Sequence, residues 1–130
     1  MRSHGCPRCS HYISKRECIF LDYLNIPNTK ENRQKYIKPY KVDGFNKNKI
    51  YEFLGDYYHG NPEKYKSNEY NQTCHKTFGE LYEKTTEKFS KLNELGYSIY
   101  YVWENDWNSW HKNKRHSFPL KKYNKHKNKI

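Results

Sequence analysis

Two acidic residues and one histidine in the first half of the chain, Asp43, Glu52 and His59, have the types and spacing of a metal-dependent phosphodiesterase site. Segments 40–45 and 49–54 are rich in Tyr, Val, Ile and Phe, and a turn-like Asn-Lys-Asn-Lys run separates them, so a β-hairpin is predicted. His59 follows the hairpin in a turn bounded by glycines, where an imidazole can move a proton to or from water.

The register of this hairpin decides whether the two carboxylates meet. A two-residue loop of Lys47 and Asn48 pairs Asn46 with Lys49, Phe45 with Ile50 and Asp43 with Glu52. Facing carboxylates repel each other, and a divalent cation between them, Mg²⁺ or Mn²⁺, removes the repulsion. In the alternative, a register shifted by one residue turns the carboxylates apart. Asp43 and Asp56 are then only the turn-forming members of Asp-Gly and Gly-Asp pairs.

Several short motifs of the chain resemble the very-short-patch-repair mismatch endonucleases of the PD-(D/E)XK nuclease superfamily, and more closely a set of small viral and phage proteins of that superfamily. The motifs are C-P-x-C, S-K-x-E, V-D-G-F, Y-E-F-x-G-D-x-x-H-G-N-P, G-E-L-Y and W-E-x-D-W, in the right order over residues 5–107. The resemblance implies an α/β (α+β) fold with a restriction-endonuclease-like core, in which helices flank a mixed central sheet. It also implies Mg²⁺-dependent hydrolysis of DNA by an endonuclease with a repair, homing or recombination role.

The same resemblance implies roles for individual residues. Asp43 matches the aspartate of the mismatch enzymes, His59 matches their catalytic histidine, and the pair 57–58 (Tyr57 and Tyr58) matches aromatic residues that they wedge into DNA. Glu52 departs from their second-strand pattern and makes the site look more like the metal-binding carboxylate pair of the general superfamily. Leu54 stands where the superfamily motif has a lysine, so His59 would have to cover that proton-handling role.

Glu17 has two interpretations. The superfamily often places a glutamate on its first helix beside the metal, which implies a catalytic role for Glu17. The residue also completes a Ser14-x-x-Glu17 capping box at the start of a helix predicted to run to about Leu24.

The cysteines suggest a second metal. Cys6 and Cys9 form a C-P-x-C knuckle within a predicted N-terminal segment, 1–13, and Cys74 and His75 are candidates to complete a structural Zn²⁺ site. In the mismatch endonucleases one zinc ligand falls at the position of Asp56, which departs from that pattern. The chain has 4 cysteines and no signal-peptide pattern, which predicts a reducing, intracellular location (cytoplasm or nucleus of a host cell) rather than secretion.

The remaining segments are predicted from local pattern. Residues 29–38 are expected to be a basic approach to the hairpin, and residues 63–76 a polar loop. A helix from Thr77 to Gly96 begins with a second capping box, buries a face that ends with Leu95, and presents Lys84 and Lys88 as DNA contacts or solvated charges on its other face. A buried strand follows at 97–103. The nuclease domain is thus expected at 14–110, followed by a disordered basic tail at 111–130.

Composition limits the function classes. A formal charge of +11 over 130 residues favours a polyanionic partner such as DNA, although coding bias towards Lys and Asn has the same effect. No apolar run is long enough to cross a membrane, and the chain is expected to act as a monomer or a weak dimer. The alternative function is a non-catalytic zinc-knuckle and basic nucleic-acid-binding protein.

Overall fold

A computed structural model describes residues 14–114, 117–127 and 129–130. The predicted knuckle at 1–13, with Cys6 and Cys9, lies outside these described residues. The elements in chain order are α1 (Lys15–Tyr23), β1 (Arg33–Ile37), β2 (Tyr40–Asn46), β3 (Lys49–Leu54), α2 (Asp56–His59), β4 (Tyr70–Asn71), β5 (Lys76–Thr77), α3 (Phe78–Glu94), β6 (Ser98–Trp103), α4 (Glu104–Asn113) and β7 (Lys121–Lys122). The prediction of a mixed α+β fold with helices around a central sheet is confirmed.

The central sheet has the strand order β1-β2-β3-β6-β7. Strands β3 and β6 run parallel and are joined by a connection that contains α3, whereas the other pairs are antiparallel. The predicted hairpin register is present, with Asn46 opposite Lys49 and Phe45 opposite Ile50. Lys47 and Asn48 have φ of 51° and 70°, the left-handed pair that a two-residue hairpin loop needs to follow the strand twist.

Apolar side chains form two clusters in the core. The first joins β3 and β6 to α3, through residues such as Ile50, Leu54, Ile99, Phe89 and Leu92. The second joins the sheet to α1 and α4, through residues such as Phe53, Val102, Phe20, Trp107 and Trp110. A mixed sheet of this kind presents apolar side chains on both faces, and each face needs a covering layer.

The predicted helix starts are present at both capping motifs. The Ser14 hydroxyl accepts the Glu17 backbone N–H at 3.0 Å, and Thr77 and Glu80 form a reciprocal capping box at the start of α3. One member of the predicted buried face of α3 is wrong: Leu95 is 63% exposed. It is the C-cap residue, where the chain leaves the helix before Gly96, so the helical spacing no longer sets its direction.

The prediction of a disordered basic tail at 111–130 is wrong for the described part of that segment. Helix α4 continues to Asn113, and β7 pairs with β6. Tyr123 is buried against Phe89, and Trp103 donates its indole N–H to the Ile130 carbonyl at 3.1 Å. The charge of the tail predicted disorder, but its few apolar residues are spaced so that they cover an edge of the core.

Two other segments differ from their predictions. The basic approach at 29–38 contains β1, which pairs with β2 through contacts such as Lys35 with Val42. The polar loop at 63–76 contains β4 and begins β5, which form a separate two-stranded sheet. These strands are mostly polar, and each pairs with a neighbouring strand. Within the described residues, no helix is long and apolar enough to cross a membrane.

Candidate active site

Strands β2 and β3 bring Asp43 and Glu52 together where their backbone pairing ends. The backbone pairs stop at Gly44 and Tyr51, and side-chain contacts continue from there. The Asp43 N–H donates to Glu52 Oε2 at 2.8 Å, and the Phe53 N–H donates to Asp43 Oδ2 at 2.9 Å. Each carboxylate thus bonds to the backbone of the opposite strand. The two groups lie together in the gap between the strands, as the hairpin register predicted.

Glu17 reaches the same place from α1. Its side chain is buried, at 6% exposure, and Oε2 accepts a hydrogen bond from Gln34 Nε2 at 2.6 Å. Its negative charge is one of those that raise the pKa of Asp43. The backbone N–H of Glu17 makes the cap with Ser14, while the carboxylate belongs to the acidic group. The cap is thus made by the backbone of Glu17, and a catalytic role for its carboxylate stays a prediction.

Lys88 lies inside this acidic group, which differs from its prediction as a DNA contact on the outer face of α3. Its Nζ is 2.7 Å from Glu52 Oε1 and 2.8 Å from the Lys41 carbonyl oxygen. The helical spacing of α3 contains a signal for this position. Lys88 lies three residues after buried Thr85 and four before buried Leu92, so it borders the buried face. Lys84 is exposed on the same helix, and its role as a DNA contact stays a prediction.

The four side chains Glu17, Asp43, Glu52 and Lys88 are named here the carboxylate cluster. Burial raises the pKa of Asp43 well above its usual range, and the charges of Glu17 and Glu52 raise it further, against the opposing effect of Lys88. Burial alone would lower the pKa of Lys88, but the carboxylates, Glu52 first, outweigh burial and raise it. Three carboxylates against one ammonium leave an excess of negative charge. A proton on Asp43 or an added cation neutralises part of it.

The donor atoms of the carboxylate cluster suit a hard divalent cation, which prefers carboxylate oxygens and water. Both Glu52 oxygens already accept hydrogen bonds, from Lys88 and from the Asp43 N–H. Glu52 is also only 2% exposed, whereas Asp43 is half-buried. Among residues 14–114, 117–127 and 129–130, no group of three or more His, Cys, Asp or Glu side chains has the arrangement of a metal site. The donor types and the negative charge of the cluster fit Mg²⁺. Binding of the cation requires the 2.7 Å contact between Lys88 and Glu52 to lengthen.

His59 lies on α2 and is held against α3. Its Nδ1 is 2.9 Å from the Thr85 hydroxyl, one helical turn before Lys88. Gly60 follows with φ of 66°, and a Cβ at that position would collide with the Phe78 carbonyl oxygen. Only glycine allows α2 and α3 this close approach. The sequence placed His59 near the hairpin, and the structure shows that α3 determines its orientation.

The predicted DNA-contacting tyrosines are half-buried. Tyr57 packs against the rings of Tyr58, Tyr65 and Phe78, and its hydroxyl is 3.1 Å from the Thr73 hydroxyl. These contacts give Tyr57 a packing role in the turn region. A DNA contact stays a prediction for both tyrosines.

The candidate zinc ligands Cys74 and His75 lie in the tight turn between β4 and β5. The Cys74 N–H donates to the side chain of buried Asn71 at 2.8 Å, and His75 has φ of 58°. Their predicted partners, Cys6 and Cys9, are outside the described part of the chain. Zinc binding stays a prediction.

A second group of polar side chains, named here the turn cluster, consists of Asp56, Asn61, Glu104 and Arg16. Asp56 Oδ1 accepts the Asn61 side-chain amide at 2.9 Å, and the Asp56 N–H donates to Glu104 Oε1 at 3.1 Å. Arg16 pairs with Glu104 at 3.4 Å. The cluster joins the start of α2 to the start of α4. The sequence marked Asp56 as a turn residue, and its contacts agree with that interpretation.

The chain matches no protein-family model, no curated protein and no solved structure.

Proposed function

We propose that this chain is a metal-dependent phosphodiesterase and, more specifically, a DNA endonuclease of the PD-(D/E)XK type that the sequence motifs resemble. The observation that carries the proposal is the carboxylate cluster. Asp43, Glu52 and Glu17 come from three different elements, and they meet at a gap in the sheet where one lysine cannot balance their charge. Structural acidic groups normally have neutralising partners, because unbalanced buried charge destabilises a fold.

Asp43 and Glu52 would hold Mg²⁺ or Mn²⁺, with Glu17 beside them. When bound, the cation supplies charge stabilisation for the phosphoryl oxygens and acidifies a bound water. Asp43 would hold the cation in its ionised form. Lys88, which is 2.7 Å from Glu52, would stabilise negative charge that develops on the phosphate. His59, held at Nδ1 by the Thr85 hydroxyl, accepts or returns the proton of the attacking water.

DNA is proposed as the substrate because the chain carries a formal charge of +11. Exposed lysines such as Lys84 would contact phosphates, and Tyr58 would stack on bases. A structural Zn²⁺ at Cys6, Cys9, Cys74 and His75 remains part of the proposal, as do an intracellular location and action as a monomer or weak dimer.

The test is cleavage of supercoiled and linear DNA with and without Mg²⁺. Wild type is compared with Asp43→Asn, Glu52→Gln and His59→Ala, and Glu94→Gln, an exposed carboxylate of α3, serves as the control. We expect Asp43→Asn and Glu52→Gln to lower the rate at least about 100-fold. Glu94→Gln should behave as wild type. Equal rates for wild type and Asp43→Asn would defeat the proposal.

A non-catalytic nucleic-acid-binding protein is the second candidate. It is favoured by Glu52, which is 2% exposed and already paired with Lys88, as in a closed structural ion pair. This function predicts DNA binding that is equal in Mg²⁺ and in EDTA and that is unchanged by Asp43→Asn. A salt-dependent affinity without any cleavage would support it.

A further inference from the structure

Gln34 has a backbone conformation that a side chain of its type rarely adopts. Its φ is 53°, in the left-handed region, where glycine and asparagine are the usual residues. This conformation costs free energy, and it persists only where the surroundings impose it. Gln34 is the second residue of β1, where a regular strand would have a negative φ.

The residues on both sides of Gln34 are anchored to other elements. Arg33, directly before it, donates to the Ile26 carbonyl at 2.6 Å and to Asp22 Oδ1 at 2.7 Å, so it is tied to the end of α1. Lys35, directly after it, is paired with Val42 of β2. The chain must pass between these two anchors through Gln34.

The position of Gln34 on the sheet coincides with the carboxylate cluster. The β1–β2 pairs include Arg33 with Gly44 and Lys35 with Val42. Gln34 therefore lies opposite Asp43, although these two residues do not form a backbone pair. The Gln34 amide donates to Glu17 Oε2 at 2.6 Å. Both residues also line a cavity of about 430 Å³ beside α1.

We propose that Gln34 is a positioning residue of the carboxylate cluster: its left-handed backbone interrupts the strand opposite Asp43, and its amide aims the Glu17 carboxylate at the cation site. The inference rests on the proposed function. A regular strand residue at this position would alternate away from α1, and Glu17 would lose the neutral donor that fixes one of its oxygens. The strain at Gln34 is thus retained for the geometry of the site.

The test measures cation affinity and thermal stability on the full chain. Mg²⁺ and Mn²⁺ binding are followed by titration calorimetry for wild type, Gln34→Gly and Gln34→Ala. Glycine accepts the left-handed φ without strain but has no amide, whereas alanine keeps the strain and also lacks the amide. Asn25→Gly is the control, because Asn25 is exposed and has a left-handed φ of 60° away from the carboxylate cluster.

We expect Gln34→Gly to melt at or above the wild-type temperature and to bind the cation about tenfold more weakly. Gln34→Ala should lose affinity and also melt lower. Asn25→Gly should bind as wild type. The inference is overturned if Gln34→Gly binds as wild type, or if its affinity falls only together with its melting temperature. A wild-type chain that binds neither Mg²⁺ nor Mn²⁺ would overturn the proposed function itself, and that result is visible before any variant is compared.

Discussion

The carboxylate cluster and the turn cluster both bury acidic side chains, but they differ in how the charge is met. The Asp56 carboxylate of the turn cluster accepts a hydrogen bond from the Asn61 amide. The backbone N–H of Asp56 donates to Glu104, and Glu104 pairs with Arg16. These contacts lie where α2 and α4 begin. Their donors are a neutral side-chain amide, a backbone N–H and the Arg16 guanidinium. In the carboxylate cluster, by contrast, burial raises the pKa of Asp43, and the negative charges of Glu17 and Glu52 raise it further.

The difference distinguishes a buried acid whose contacts stabilise the fold, Asp56, from a buried acid whose negative charge destabilises it, Asp43. Removing Asp56 from the turn cluster should cost stability, because the buried Asn61 amide loses its acceptor. Removing the charge of Asp43 from the carboxylate cluster should relieve repulsion and cost function instead. Burial alone does not distinguish the two, since Asp56 is 7% exposed and Glu52 is 2% exposed.

The largest effect on stability is expected from Lys88→Met. This change keeps the length of the side chain but leaves Glu52 buried without its cation, so the free energy of unfolding should fall by about 3–5 kcal/mol. Urea denaturation measures it. The double variant with Glu52→Gln should recover a large part of the loss. If the double variant is as unstable as the sum of the single variants, Lys88 does not serve to balance Glu52.

Asp56→Ala should lower the free energy of unfolding by about 1–3 kcal/mol, because the buried Asn61 amide loses its acceptor. Asp56→Asn keeps an acceptor oxygen and is expected to lose less. The folded fraction of Asp56→Ala should cleave DNA as wild type does. A specific loss of cleavage in fully folded Asp56→Ala would place the turn cluster in the active site and remove the contrast between the clusters.

The pH dependence of stability should differ between wild type and Asp43→Asn. Because the folded-state pKa of Asp43 is raised, the folded chain keeps a proton that the unfolded chain has released. Stability therefore falls as pH rises from the usual aspartate pKa of about 3.9 to the folded-state pKa, with a slope of at most about 1.4 kcal/mol per pH unit. Asp43→Asn removes this contribution and should be the more stable protein at neutral pH without metal. Denaturation midpoints from pH 4 to pH 8 measure the difference, and parallel curves would contradict it.

The smallest effect is expected from the cation itself. Mg²⁺ at ten times its dissociation constant should stabilise wild type by about 1.4 kcal/mol, since it binds the folded state. The melting temperature of wild type should rise with Mg²⁺, and that of Asp43→Asn should not. Asp56→Asn, which leaves the carboxylate cluster intact, should respond as wild type does. An equal rise in all three proteins would show that the ion acts outside the carboxylate cluster.

Local patterns of the sequence were sufficient for the elements that present the site. Lys47 and Asn48 predicted the hairpin loop and its register, and Thr77 and Glu80 predicted the start of α3. These features depend on residues a few positions apart, whose backbone angles and hydrogen bonds are decided by their own chemistry. The placement of Asp43 beside Glu52 follows from the hairpin and was predictable for the same reason.

The sequence by itself thus determined the hairpin, the capped helices, the central strand and the meeting of two carboxylates. Only the tertiary structure decided that Lys88 enters the carboxylate cluster, 36 residues along the chain from Glu52, and that Gln34 bonds to Glu17. It also decided that the basic C-terminal segment adds β7 to the sheet. These contacts join elements that are distant in sequence, and they depend on which surfaces the core leaves to be covered. No local propensity encodes that information, because it arises only when the layers pack.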